Sequence, residues 1–324
     1  MRRAVTIALG IAAVAAVVIV GAVQVGARPS TGGCAEPAPV GKSVAFRLDA
    51  ADGNCLQSYA WVPRAAPVKG VVVLVHGLHD HARRYEPLAL ALNDAGVAVY
   101  AHDQRGHGAS GGASQRMDSV DQLAGDVERV LQEAAKRHPG VPVFVYGHSL
   151  GGLVAARVAA SPPLPLRGAV ISSAALTLKL PASASSAQLR VAGMLSAVAP
   201  GLGLQTFDDA TFVRDPAAQA ALAADPDISR DKLPARTVVT VVRGIGDIQA
   251  RMDSIVTPLL ILHGTEDQVT EVEGSRELAA RARSSDKTLR LYDGMLHDLL
   301  HEPVAGEVTR EIVAFVSSRL RSAP

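Results

Sequence analysis

Residues 141–154 read VPVFVYGHSLGGLV, and their reading decides the fold. Val141, Val143, Phe144 and Val145 form a short apolar run that predicts a buried strand, and the Ala- and Val-rich segment after Gly151 and Gly152 predicts a helix. Between them lies Gly147-His148-Ser149-Leu150-Gly151, a G-x-S-x-G in the strand-turn-helix setting that gives the pattern its meaning. Such a turn is tight enough that a side chain two places either side of Ser149 would collide with its neighbours, and both places are glycine. The motif alone is weak evidence in a chain with 29 glycines; its flanks make it a nucleophile elbow.

Working outward, VVVLVHG (71–77), VAVYAHD (97–103), GAVISSA (168–174), PLLILHG (258–264) and TLRLYDG (288–294) repeat the same continuous apolar rhythm. Strands of this kind are covered on both faces, as in a parallel sheet with right-handed crossovers. Upstream, Val44, Phe46 and Leu48 alternate with polar residues, Asp52-Gly53 turns the chain, and Leu56 to Val62 returns with Tyr59 and Trp61 on one face, an antiparallel hairpin at the sheet edge. Leu123, Val127, Val130, Leu131 and Ala134 recur at helical spacing before Pro139-Gly140, and Val308, Ile312 and Phe315 do so within 304–320. The expected fold is a doubly wound, mostly parallel α/β sheet over 43–324. Residues 178–250 interrupt the alternation with apolar positions punctuated by Pro181, Pro200, Gly201 and Gly203. An insertion there would sit over the strand C-termini, where open sheets bind ligands, and is read as a helical cap.

A serine hydroxyl needs a base, and the base needs a carboxylate to fix its tautomer. In this kind of sheet the order is Ser, acid, His, each on a loop at a strand C-terminus. Asp267 in Gly264-Thr265-Glu266-Asp267 and His297 beyond Tyr292-Asp293-Gly294 satisfy it. Glu266 is one residue early, His301 falls a helical turn further on inside the last helix, and His148 projects away from its neighbour. The oxyanion donors expected are the backbone N–H groups of Leu150 and of Leu78, with His76 and Gly77 shaping the second loop.

Net charge is +1 and aromatics are 3% of the 324 residues, which leaves neither a phosphate-binding footprint nor a stacking surface for nucleic acid. Cys34 and Cys55 are the only cysteines, so no metal cluster of Cys and His is visible, and the proposed chemistry needs no cofactor. Arg2 and Arg3 precede an apolar run from Ala4 to Val23 broken only by Thr6, long enough to cross roughly 30 Å of hydrocarbon. Residues 1–27 are therefore read as a signal anchor with the catalytic domain outside, or as a signal peptide cleaved near Ala27. Residues 28–42 form a Pro/Gly-rich linker. In an oxidising compartment Cys34 and Cys55 could pair, a bond worth about 3 kcal/mol; free thiols, or a lipid-bearing Cys34, are the alternatives.

Taken together, His76-Gly77 with His81 and Arg84-Tyr85, the run Asp103-Gln104-Arg105-Gly106-His107-Gly108, the elbow, Gly264-Thr265-Glu266-Asp267 and Leu289-Arg290-Leu291-Tyr292-Asp293-Gly294 ending in His297 resemble the monoacylglycerol lipases and lysophospholipase-like enzymes of the α/β-hydrolase superfamily, the serine aminopeptidase S33 type. The resemblance covers roughly 44–320 and is weakest in the insertion. It implies a serine hydrolase whose apolar cap admits one acyl chain and whose triad cleaves the ester to glycerol through an acyl-enzyme at Ser149. The sequence departs from the family at His79 and Asp80, where a small Gly and then Glu are usual, and at Arg83, which replaces a small residue. Other readings are a lysophospholipase, a short-chain carboxylesterase, an amidase using Asp208, Asp209 or Asp215 to hold a peptide amine, and a non-catalytic binding protein. The partners expected are a lipid-like ester and, through the N-terminal segment, a membrane.

Overall fold

The computed structural model describes residues 41–64, 67–162, 165–178 and 186–320. The leader at 1–27, nearly all of the linker and Cys34 lie outside the described residues.

An eight-stranded sheet dominates. Its strands are β1 (Val44–Asp49), β2 (Cys55–Trp61), β3 (Gly70–Val75), β4 (Val97–His102), β5 (Val143–His148), β6 (Leu166–Ser172), β7 (Leu259–Gly264) and β8 (Lys287–Tyr292). Their order is β1-β2-β4-β3-β5-β6-β7-β8, with β1 and β2 antiparallel and β3 to β8 parallel. The strand order reverses at β3, which pairs with β4 on one side and β5 on the other. Loops leaving β3 and β5 therefore open onto one crevice, with Val75 in register with Gly147.

Every residue of β3, β4, β5 and β7 is buried, as their apolar runs require, and so is every residue of β2, including Gln57 and Ser58, whereas the edge strands β1 and β8 expose alternate side chains. Side chains alternate between the two faces. Val71, Val73 and Val75 pack with α2 (Val120–Arg137), α3 (Leu150–Ala160) and α6 (Ala235–Gln249), while Val72 and Leu74 pack with α1 (Glu86–Asp94) and α8 (Ala305–Ser317). The apolar positions expected in α2 and α8 are those that face these cores. Ser119 caps α2 by accepting from the Gln122 N–H at 3.0 Å, one of the donors the first turn leaves free.

At the elbow Ser149 takes φ 54° and ψ −119°. A Cβ on Gly147 would lie 2.1 Å from the Gly151 carbonyl oxygen, and one on Gly151 would lie 2.1 Å from that of Val75. Both clashes are with backbone, so strand, turn and helix close together only with glycine at these places.

Between β6 and β7 lie α4 (Ser186–Val198), a short antiparallel ladder of Gly203–Gln205 with Leu233–Pro234, a 3-10 turn at Asp209–Thr211, α5 (Pro216–Ala224) and α6. Phe212, Val213, Leu222 and Ile228 form a small core of their own that leans on Val269. Helix α6 differs from the rest of this stretch, because Val241, Ile245 and Ile248 join the main core beneath the sheet. The ladder leaves little trace in sequence, since its strands are too short to show an alternation.

Candidate active site

Ser149 ends the β5 turn, 7% exposed, with its N–H donating to the Ser172 carbonyl at 3.0 Å. The loop after β3 passes directly over it, for a Cβ on Gly77 would sit 3.1 Å from the Ser149 Cβ. Leu150 is the first residue of α3, so its N–H has no intrahelical acceptor. Among the described residues neither that N–H nor the Leu78 N–H donates to any group. The Leu150 N–H therefore lies next to the serine at the positive end of a helix, and Leu78 follows the Gly77 that lies against Ser149.

The parallel pairing of β7 with β8 sets Gly264 opposite Tyr292 and brings the two following loops together. The Glu266 N–H donates to the Met295 carbonyl at 2.9 Å, and a Cβ on Gly264 would strike the Leu296 carbonyl oxygen at 2.2 Å. Asp267, 1% exposed, accepts at Oδ1 from the N–H groups of Val269 (2.7 Å) and Thr270 (2.9 Å) and at Oδ2 from the Thr270 hydroxyl (2.8 Å). The same Oδ2 lies 2.7 Å from Nδ1 of His297. Burial by itself would raise the Asp267 pKa, but His297 and His263 outweigh it and hold the carboxyl far below its ordinary range. His297 is fully buried, and its Nε2 has no hydrogen-bond partner among the described residues. With Nδ1 carrying the proton given to Asp267, Nε2 carries the lone pair.

Competing residues have other partners. Glu266 is exposed and paired with Arg214 at 2.7 Å. His301 lies in the turn ahead of α8, not inside the helix as its spacing suggested, because Pro303 delays the helix to Ala305; its Nδ1 is 2.8 Å from Asp298. His148 packs its ring 4.8 Å from that of His297, and burial, aided by His297, pushes its pKa down to about 4. His76 is a brace: Nδ1 lies 2.7 Å from the Gly77 carbonyl and Nε2 accepts from the Gln104 N–H at 2.8 Å, the tautomer a neutral ring supplies. Burial holds its pKa near 4.

His79, Asp80 and Arg83 lie in and just after the β3 loop and are engaged by other polar groups. Asp80 accepts from the Tyr85 hydroxyl (2.6 Å), the Arg84 guanidinium (2.9 Å) and the N–H groups of His81 (2.8 Å) and Gly77 (3.3 Å), fixing the loop on either side of Leu78. His79 takes φ 55°, a left-handed conformation that a glycine enters freely. Its Nε2 lies 3.1 Å from Arg230 and 3.1 Å from Asp209. His81 meets Asp225 at 2.9 Å, and Arg83 pairs with Asp227. His81, Asp225 and Asp227 are close enough to share a cation, but the Arg83 guanidinium already neutralises Asp227, so the donor set fits an ion-pair network better than a metal.

The carboxylates considered for an amine pocket are likewise engaged. Asp208 caps the 3-10 turn through the Ala210 N–H, Asp215 caps α5 through the Ala217 N–H, and Asp209 binds Arg230 at 2.9 Å. Cys55 is buried at the start of β2 and is not a free thiol. Residues that sequence reasoning missed are His263, Thr270 and Ser275 behind Asp267, and Glu302, whose carboxylate accepts from the N–H groups of Arg214 (2.6 Å) and Leu296 (3.2 Å) and ties the insertion to the His297 loop.

Residues 66–304 match the serine aminopeptidase S33 family. The chain is 35% identical over 261 residues to a monoacylglycerol lipase of Mycolicibacterium smegmatis, covering 80% of this chain and 92% of that one. It is 33% identical over 275 residues to the monoglyceride lipase of Homo sapiens, covering 84% and 90%. The crystal structure of the Paleococcus ferrophilus monoacylglycerol lipase superposes with a TM-score of 0.73 at 32% identity, covering 82% of this chain and 99% of that one.

Proposed function

The chain belongs to the serine aminopeptidase S33 family of α/β-hydrolases, and from that premise we propose that it is a carboxylic ester hydrolase cleaving monoacylglycerol to a fatty acid and glycerol. The observation that carries the mechanism is the state of His297, which is bound to Asp267 through Nδ1 and whose buried Nε2 has no partner among the described residues. In this reading Nε2 takes the proton of Ser149 as its oxygen attacks the ester carbonyl, and Asp267 stabilises the imidazolium that forms. The N–H groups of Leu78 and Leu150 receive the oxyanion, a contribution of about 3 kcal/mol per donor. His297 then gives its proton to the departing glycerol oxygen. Water, deprotonated by the same nitrogen, releases the fatty acid from Ser149.

The names of the relatives support the monoacylglycerol, and the engaged states of Asp208, Asp209 and Asp215 speak against an amine-binding carboxylate. In the same reading residues 178–250 act as the cap over the acyl chain. Among the described residues no helix is long and apolar enough to cross a membrane. Export therefore rests on residues 1–27 alone, whose basic and apolar pattern supports an anchor or a leader cleaved near Ala27, with Cys34 pairing with Cys55 outside the cell.

The test is hydrolysis by the full-length protein of a long-chain monoacylglycerol, a lysophospholipid, a short nitrophenyl ester and an aminoacyl anilide, with Ser149→Ala as blank. Preference for the monoacylglycerol is the expected result. Preference for the lysophospholipid or the short ester removes the glyceride assignment and leaves the esterase, and preference for the anilide removes both.

A further inference from the structure

Strand β7 runs Leu259, Leu260, Ile261, Leu262 and then places an imidazole, His263, where the core would accept another aliphatic side chain. A fully buried imidazole without partners costs free energy, so its contacts matter. Its Nδ1 lies 2.7 Å from the hydroxyl of Ser275, itself fully buried in the first turn of α7 (Val272–Arg281). Its Nε2 lies 3.2 Å from Oδ2 of Asp267 and 3.4 Å from the Thr270 hydroxyl. Where the Ser275 hydroxyl donates to Nδ1, the neutral ring carries its N–H at Nε2, on the side of Asp267.

Oδ2 is the oxygen that faces His297, and the rings of His297 and His263 and the Thr270 hydroxyl all lie against it, while Oδ1 accepts from the backbone N–H groups of Val269 and Thr270. We propose that His263, oriented by Ser275, is a positioning residue that fixes the Asp267 carboxylate so that Oδ2 meets His297 Nδ1. The proposal rests on the Ser149–Asp267–His297 reading above. His263 touches neither substrate nor Ser149; it acts through the carboxylate. Without it Oδ2 loses the imidazole on that side, and the carboxylate can turn away from the line to His297. A small misalignment of a catalytic pair costs rate far more than binding, here about 10- to 100-fold.

The experiment compares kcat and KM of full-length His263→Leu, His263→Gln and Ser275→Ala on one ester substrate, with Ser149→Ala as blank and thermal unfolding as a check on the fold. The expected result is a fall in kcat of about 10- to 100-fold for His263→Leu with KM within about twofold of the parent. His263→Gln, whose amide nitrogen reaches the position of Nε2, should recover most of the rate, and Ser275→Ala should lie between. If His263→Leu does not fold, His263→Asn, too short to reach Asp267, takes its place against His263→Gln. Parental kcat in the Leu or Asn variant, or equal loss in Gln, overturns the proposal. Full turnover by Ser149→Ala would instead remove the triad reading on which it stands.

Discussion

His81 Nε2 lies 2.9 Å from Asp225 Oδ2, joining the loop that carries Leu78 to the segment inserted between β6 and β7. Burial alone would lower the His81 pKa, but the bond to Asp225, with Asp103 and Asp80 nearby, outweighs it and the pKa is raised. Burial would likewise raise Asp225, yet His81 lowers it on balance. The His81 contribution to stability is therefore complete below its ordinary value of about 6.5 and is lost as pH rises through the raised value. That of Asp225 is present above its own ordinary value and fades below it. His81→Gln should thus lower the unfolding temperature more at pH 5.5 than at pH 8.5, as measured by thermal melts at both. An equal loss at the two would contradict the pairing.

Four other histidines act in the opposite sense. Burial holds His76, His102, His107 and His148 near pKa 4, so each is neutral in the fold and binds a proton only in the unfolded chain once the pH falls below about 6.5. At 1.36 kcal/mol per unit, each removes roughly 2 kcal/mol by pH 5. Urea midpoints should drop steeply between pH 7 and pH 5 with an unchanged m-value. A flat profile over that range would mean that these rings are already charged or exposed.

Gly147→Ala and Gly151→Ala should each destabilise by about 3 kcal/mol or more, because the added carbon meets backbone that cannot move without opening the elbow. Gly125 within α2 has open space around its Cβ position, so Gly125→Ala should instead stabilise by about 0.5–1 kcal/mol. Denaturant unfolding of the three variants compares these directly. Parental stability in both elbow variants would show that the turn is looser than its glycines require.

What the sequence made legible follows a physical rule. The elbow, the central strands and the loops bearing Asp267 and His297 are written in local pattern, where apolar runs end in Gly-containing turns at strand C-termini. His263 escaped notice because it sits at the end of such a run and reads as part of it. The pairs His79 with Asp209, His81 with Asp225 and Arg83 with Asp227 join residues far apart in the chain, and nothing near either partner announces the other. The same holds for Glu302, whose role depends on where the insertion lands. His301 falls ahead of the helix for a local reason, since Pro303 holds the helix start back to Ala305.

The central claim is that His297, through its Nε2, is the base for Ser149. It is tested most directly by turnover of a long-chain monoacylglycerol by full-length His297→Ala beside His301→Ala, both verified as folded. The account predicts a loss of about 10,000-fold or more in kcat for His297→Ala and a rate close to the parent for His301→Ala. Near-parental turnover by His297→Ala, with His301→Ala inactive, would contradict it.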